Sequence, residues 1–178
     1  MEKDGLNWNY RLIMIELSLE QINAQSPYEV SYAPNGDFVF ATSLNIHYLI
    51  SFEMEEPVGG CNTFQFVIQK LDNQRSPHDA KVEQAILAIL DVFFREHLDV
   101  LLYMCDDSDG REANRNRLFL AWFKKHAAPD RFTIRTASAI IEGKGFYVAI
   151  IVENRNPLLE MIIADFENTA QALTTGKP

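Results

Sequence analysis

Cysteine is nearly absent from this chain. Its 178 residues include only Cys61 and Cys105, and neither sits in a CxxC or Cys/His spacing. That excludes a disulfide framework and a thiolate zinc centre. The four histidines (His47, His78, His97, His126) are scattered, with no pair at ligand spacing, so no metal is expected. Long apolar runs are also missing. None approaches the roughly 20 residues a membrane helix needs, so no membrane partner is expected. Positive charge is in deficit, with 16 Lys+Arg against 25 Asp+Glu and a net charge of -9. A surface built for nucleic acid is basic overall, which removes nucleic acid from the expected partners. GxSxG, Walker A, GxGxxG and HExxH motifs are all absent, along with the chemistry each would carry.

What remains is an apolar, foldable chain. Its hydrophobic fraction is 47%, too high for a disordered protein, and its length suits one domain with its own core. The organisation expected is an N-terminal arm or helix over 1–26, one α+β domain over 27–173 and a frayed tail over 174–178. Met1–Gly5 alternates charges and Leu12–Ile15 is too short for the apolar centre of a signal peptide. A cytoplasmic address follows as the expectation.

The first half reads as strands. Tyr28–Ala33 is apolar and β-prone, and Pro34-Asn35-Gly36-Asp37 supplies a turn, Asn-Gly being able to take positive φ at both residues. Phe38, Phe40 and Thr42 alternate with Val39 and Ala41. Ile46, Tyr48, Ile50, Phe52 and Met54 fall on one face, and Pro57-Val58-Gly59-Gly60 breaks that strand. Phe64, Phe66 and Ile68 complete a four-strand antiparallel meander.

The second half alternates helices and strands. Ser76-Pro77-His78-Asp79 predicts a helix start, with Ser76 as the cap and Pro77 at the first helical position. Val82, Ile86, Ile89, Leu90 and Phe93 repeat at helical spacing to near His97. Val100–Cys105 has the continuous apolar pattern of a buried strand. A right-handed crossover would set it parallel to the 63–71 strand. A second helix starts near Asp109, with Glu112 as its capping partner. Its stripe is Leu118, Phe119, Trp122 and Phe123, and it ends before Pro129. Phe132–Ile141 and Phe146–Glu153 are two further strands. Residues 157–166 fit either a helix or a strand. The fold class is therefore α+β: a mixed sheet with helices packed on it.

Three features could carry function. Cys105-Asp106-Asp107-Ser108-Asp109-Gly110 follows the buried strand, where carboxylates could hold Mg²⁺ or Ca²⁺. A turn and helix cap account for the same residues. The next helix and the turn after it crowd Arg111, Arg115, Arg117, Lys124, Lys125 and Arg131 into one short stretch. Such a patch suits a phosphate, a coenzyme A pyrophosphate or an acidic partner, and equally a surface ion-pair network. Finally, Phe93-Phe94 and Trp122-Phe123 place bulky neighbours in diverging directions. A helix covered on two sides explains that, by a second layer or, most simply, by a second copy of the chain.

Asp107-Ser108-Asp109-Gly110 superficially resembles the DxD of haloacid-dehalogenase-type phosphatases and metal-dependent glycosyltransferases. The preceding meander does not match the phosphatase context. An EF-hand fails because its twelfth position, counted from Asp106, is Arg117. The order of strands, helix, strand, helix and strand pair from about Tyr28 to Glu153 resembles the GNAT-type N-acetyltransferases. That resemblance implies coenzyme A as cofactor, with pyrophosphate cradled at Gln74-Arg75-Ser76-Pro77-His78-Asp79. The family's glycines are missing from this stretch. Asn114 matches a family Asn, but the position of its general-acid Tyr falls on Trp122 or Phe123. Leu101–Asp106 with Arg115, Leu118-Phe119 and Trp122-Phe123 is similar to a family of small bacterial proteins of unknown function.

The expectation drawn from these residues is a non-catalytic binding or protein-interaction domain. It would use the basic helix 111–125, with Arg111 and Arg115, and the neighbouring acidic loop of Asp106, Asp107 and Asp109 to meet a protein partner or a copy of itself, with no cofactor; Arg75 and Ser76 are the ligand-binding residues of the coenzyme A reading. The alternative is a divergent acyl-coenzyme-A-dependent N-acyltransferase.

Overall fold

The computed structural model of the chain describes residues 14–106, 112–126, 128 and 130–175. Four helices pack on one mixed sheet of seven strands. The short helix α1 (Leu19–Asn23) leads into β1 (Ser31–Tyr32), β2 (Phe38–Ala41), β3 (His47–Val58) and β4 (Cys61–Lys70). Helix α2 (Ala80–Glu96), strand β5 (Val100–Asp106) and helix α3 (Glu112–His126) follow. Strands β6 (Phe132–Ile141) and β7 (Lys144–Glu153) and helix α4 (Leu159–Thr175) close the order. The sheet runs β1-β2-β3-β4-β5-β7-β6, antiparallel except for the β4–β5 pair.

The expected meander and crossover are present, with local corrections. The first strand is only Ser31–Tyr32. In its turn, Gly36 N–H bonds Ala33 C=O, so Pro34 and Asn35 hold the central positions and Gly36 alone turns to positive φ. Proline presets φ at the first central position, so the Asn-Gly pair is displaced by one. Pro57 does not end β3. The strand runs to Val58 and absorbs the proline in an irregularity between Glu55 and Val58, the one place a strand tolerates it. Gly59 and Gly60, both at positive φ, then turn the chain. Residues 159–175 form a helix.

Helix α2 starts three residues later than Ser76 implies. Its cap is Asp79, whose carboxylate accepts from Lys81 N–H at 2.9 Å and from Tyr28 OH at 2.5 Å. Asp79 wins because Tyr28 holds it in place. Ser76 instead accepts a hydrogen bond from Lys70 Nζ at 3.2 Å.

The main core lies between the sheet and α1, α2 and α3, and it is aromatic. Phe93 stacks on Phe52 with ring centres 4.8 Å apart, and Phe94 turns sideways to meet Phe132 at 4.7 Å. Both are fully buried. The diverging Phe93-Phe94 pair is thus covered by a second layer of the same chain, not by a second copy. In α3, Phe119 and Phe123 are buried as expected, but Leu118 is 47% exposed and Leu120 is buried in its place. Met54 keeps the register of Ile50 and Phe52, opposite Phe64, but is exposed. The other face of the sheet holds a small cluster of Cys61, Val100, Ile150, Val152 and Ile162 under α4. The arm contributes Ile15, Leu17 and Ile22 to the main core.

Candidate functional site

β4 and β5 are the one parallel pair among the described strands, and their ladder is short. β4 and β5 pair only where Thr63, Phe64 and Gln65 face Val100, Leu101 and Leu102. Beyond that, both strands continue, β4 to Lys70 and β5 to Asp106, each paired only with its outer neighbour. They form a fork, closed at the amino ends and open at the carboxyl ends.

Each prong of the fork is held from outside. The β3–β4 ladder has a fixed phase, because Leu71 N–H donates to His47 C=O at 2.9 Å. In an antiparallel ladder, alternate residues turn their peptide groups to opposite sides. Ile68 and Lys70 therefore turn theirs away from β3 and into the fork, where no described strand pairs with them. On the β5 side, residues from Leu101 to Asp106 are fastened to β7. The floor is aromatic. Phe119 of α3 reaches across, with its ring 5.6 Å from Phe66 of β4 and 4.2 Å from Tyr103 of β5.

The connections leaving the open end carry the residues singled out from the sequence. Arg75 and Ser76 lie between β4 and α2. Asp106 ends β5, and Arg115 lies within α3. Parallel strands end on the same side of a sheet, so the Lys70 end of β4 and the Asp106 end of β5 both lie toward the open end. Arg75 is exposed and Ser76 is half-buried. Asp107, Asp109 and Arg111 lie outside the described residues, and so does the rest of the acidic loop after Asp106. Among the described residues, no three His, Cys, Asp or Glu side chains gather as metal ligands.

The start of α2 has its own electrostatics. The hydrogen bond from Tyr28, opposed in part by burial and helped by Lys81 N–H, holds the Asp79 carboxyl below its usual range. A carboxylate thus already sits on the amide end of α2, where the helix dipole favours an anion. His78 and Glu83 meet at 2.7 Å in the first turn. Beside them lies a recess of about 290 Å³, lined by Tyr28, Thr42, Tyr48, Ser76, His78 and Lys81, among others.

Two arrangements were invisible in the sequence. His47 N–H donates to Asp72 at 2.5 Å and its ring Nδ1 lies 3.2 Å from the same oxygen, which lowers the Asp72 pKa. At the closed end, Arg131 donates to Asp91 at 2.7 Å and to Glu153 at 3.1 Å, and Arg155 meets Glu153 at 2.8 Å. Burial lowers the Arg131 pKa, but the hydrogen bonds and charges of Asp91 and Glu153 outweigh it and leave the pKa raised. This chain of ions ties α2 to β7. Residues 40 and 22 apart in sequence carry no local sign of such a meeting.

The model of a family of unknown function, DUF6169, matches residues 78–168. That span covers α2, β5, α3, β6, β7 and the first half of α4. No curated protein and no solved structure matches the chain. Among the described residues, no helix is long and apolar enough to cross a membrane.

Proposed function

The chain belongs to this family of unknown function, and from that premise we propose that the protein binds an acyl-coenzyme A in the fork between β4 and β5. The observation that carries the reading is the pair of peptide groups at Ile68 and Lys70, turned away from β3 on the side where β4 has no ladder partner among the described strands. A pantetheine arm is an extended chain with two amides. It can pair with a strand edge as a peptide does. Asp79 already occupies the amide end of α2, so the phosphates lean on Arg75 and Arg115 instead. The element order that resembles N-acetyltransferases supports the same ligand. In the reaction that resemblance implies, an amine nitrogen attacks the thioester carbonyl. The C–S bond breaks, the thiol leaves and the amine gives up a proton.

A second reading is a non-catalytic binding domain. The absence of a tyrosine at Trp122 or Phe123 favours it. One experiment separates the two. A thermal-shift titration with acetyl-coenzyme A should give a saturable rise in Tm, about 2.7 kcal/mol of stabilisation at a hundred times Kd. Ile68→Pro should remove the rise, because proline deletes the N–H in the fork and spares the β3 ladder. Thiol release with a panel of amines then marks a transferase, and binding without release marks a non-catalytic binder. No shift at millimolar ligand overturns coenzyme A altogether.

A further inference from the structure

The two edges of the sheet are built differently. β1 is two residues long and runs into a proline turn, a common way to blunt an edge. β6, at the other edge, is ten residues long. It has no proline, no lysine and no bulge, and Arg135 is its one charge. Asn154 N–H donates to Arg131 C=O at 2.7 Å, which sets the phase of the β6–β7 ladder. Residues 133, 135, 137, 139 and 141 bond β7. Residues 132, 134, 136, 138 and 140 turn their peptide groups outward, and Arg135 Nη1 donates to the Ile134 C=O at 3.1 Å, a bond the inter-strand pairing would replace. No described strand pairs with that edge. Ile140, at 77%, is the most exposed large apolar side chain among the described residues, and Ile141 beside it is exposed too.

We propose that β6 pairs with β6 of a second copy of this chain, antiparallel about a two-fold axis at Ala137, joining the two sheets into one. The strand is complementary to itself in this register. Outward-facing Thr136 meets Ser138 of the second copy, and Ile140 meets Ile134. These pairs form on the order of eight inter-strand hydrogen bonds. Ile140 is covered by a half-buried apolar partner on the face that carries α2 and α3. Arg135, already bonded to Glu167 at 3.3 Å, falls opposite Ala139 and not opposite its own copy. Only the small side chain of Ala137 lies on the axis. A second copy is favoured over an unrelated peptide because one register satisfies the outward peptide groups, covers Ile140 and avoids like charges together.

The test uses the whole chain. In sedimentation velocity at micromolar concentration the wild type should run as a dimer. Ile140→Lys should run as a monomer with an unchanged circular dichroism spectrum, and Leu173→Lys, at an exposed site on α4, should remain a dimer. Should Ile140→Lys fail to fold, Thr136→Pro removes one outward N–H and should likewise give a monomer. Ala137→Cys should form an intermolecular disulfide on mild oxidation, because axis residues face each other at about 4.5–5.5 Å between Cβ atoms. A wild type that stays monomeric at about 100 µM, well above typical specific affinities, overturns the proposal. So does a folded Ile140→Lys or Thr136→Pro variant that stays dimeric, or an Ala137→Cys dimer that does not crosslink.

Discussion

The two ends of the β4–β5 pair differ in what holds them. At the closed end, three residue pairs of ladder are backed by Phe94 against Phe132 and by Arg131 between Asp91 and Glu153. At the open end no ladder is formed between the described residues, and the strands are linked by the rings of Phe66, Tyr103 and Phe119. The comparison shows how a sheet can be rigid and still keep peptide groups available. The ladder and the ion pairs sit at one end, and the strand edges left without a partner strand among the described residues sit at the other.

The largest break of that contrast is at Phe94. Phe94→Ala removes a fully buried ring that meets Phe93, Phe123 and Phe132. It should cost about 3–5 kcal/mol in urea unfolding. Arg131→Ala comes next. It leaves Asp91 and the buried Glu153 without their shared cation, and Glu153 Oε2 already lacks a hydrogen-bond partner among the described residues. Arg131 is part exposed and Arg155 still meets Glu153, so the loss should be about 1–3 kcal/mol, below that of a fully buried pair.

Asp79→Ala tests the open end. Loss of the α2 cap should cost about 1 kcal/mol. The folded Asp79 pKa lies below its ordinary 3.8, so the wild-type stabilisation is full above that value. It fades as pH falls toward the lowered folded pKa. Thermal melts between pH 2 and 6 should therefore show a shallower acid limb in the variant. The smallest effect belongs to Arg75→Ala. This exposed residue should leave stability within about 0.5 kcal/mol while weakening acetyl-coenzyme A binding several-fold.

Much of this architecture was legible in the residues. Alternation marked β2 through β4, the run Val100–Cys105 marked a buried strand, and Phe132–Ile141 marked β6 to the residue. Helix starts were less legible, because Ser76 and Asp79 are both good caps. The choice was made by Tyr28, 51 residues from Asp79. The cover over Phe94 was also a tertiary fact, supplied by α3 and β6 rather than by another molecule. At the candidate site, Arg75 was singled out through the resemblance to N-acetyltransferases and Asp106 through the acidic run that follows a buried strand. The fork between them was not, since nothing local tells a strand to stop pairing after Gln65.

Hydrogen exchange of the Ile68 amide, followed by NMR, tests the fork most directly. Ile68 N–H should exchange quickly in the free protein while its neighbours Val67 and Gln69, bonded to β3, are protected. It should slow markedly on saturation with acetyl-coenzyme A. An Ile68 amide already protected in the free protein would contradict the open fork, and one untouched by the ligand would contradict its use.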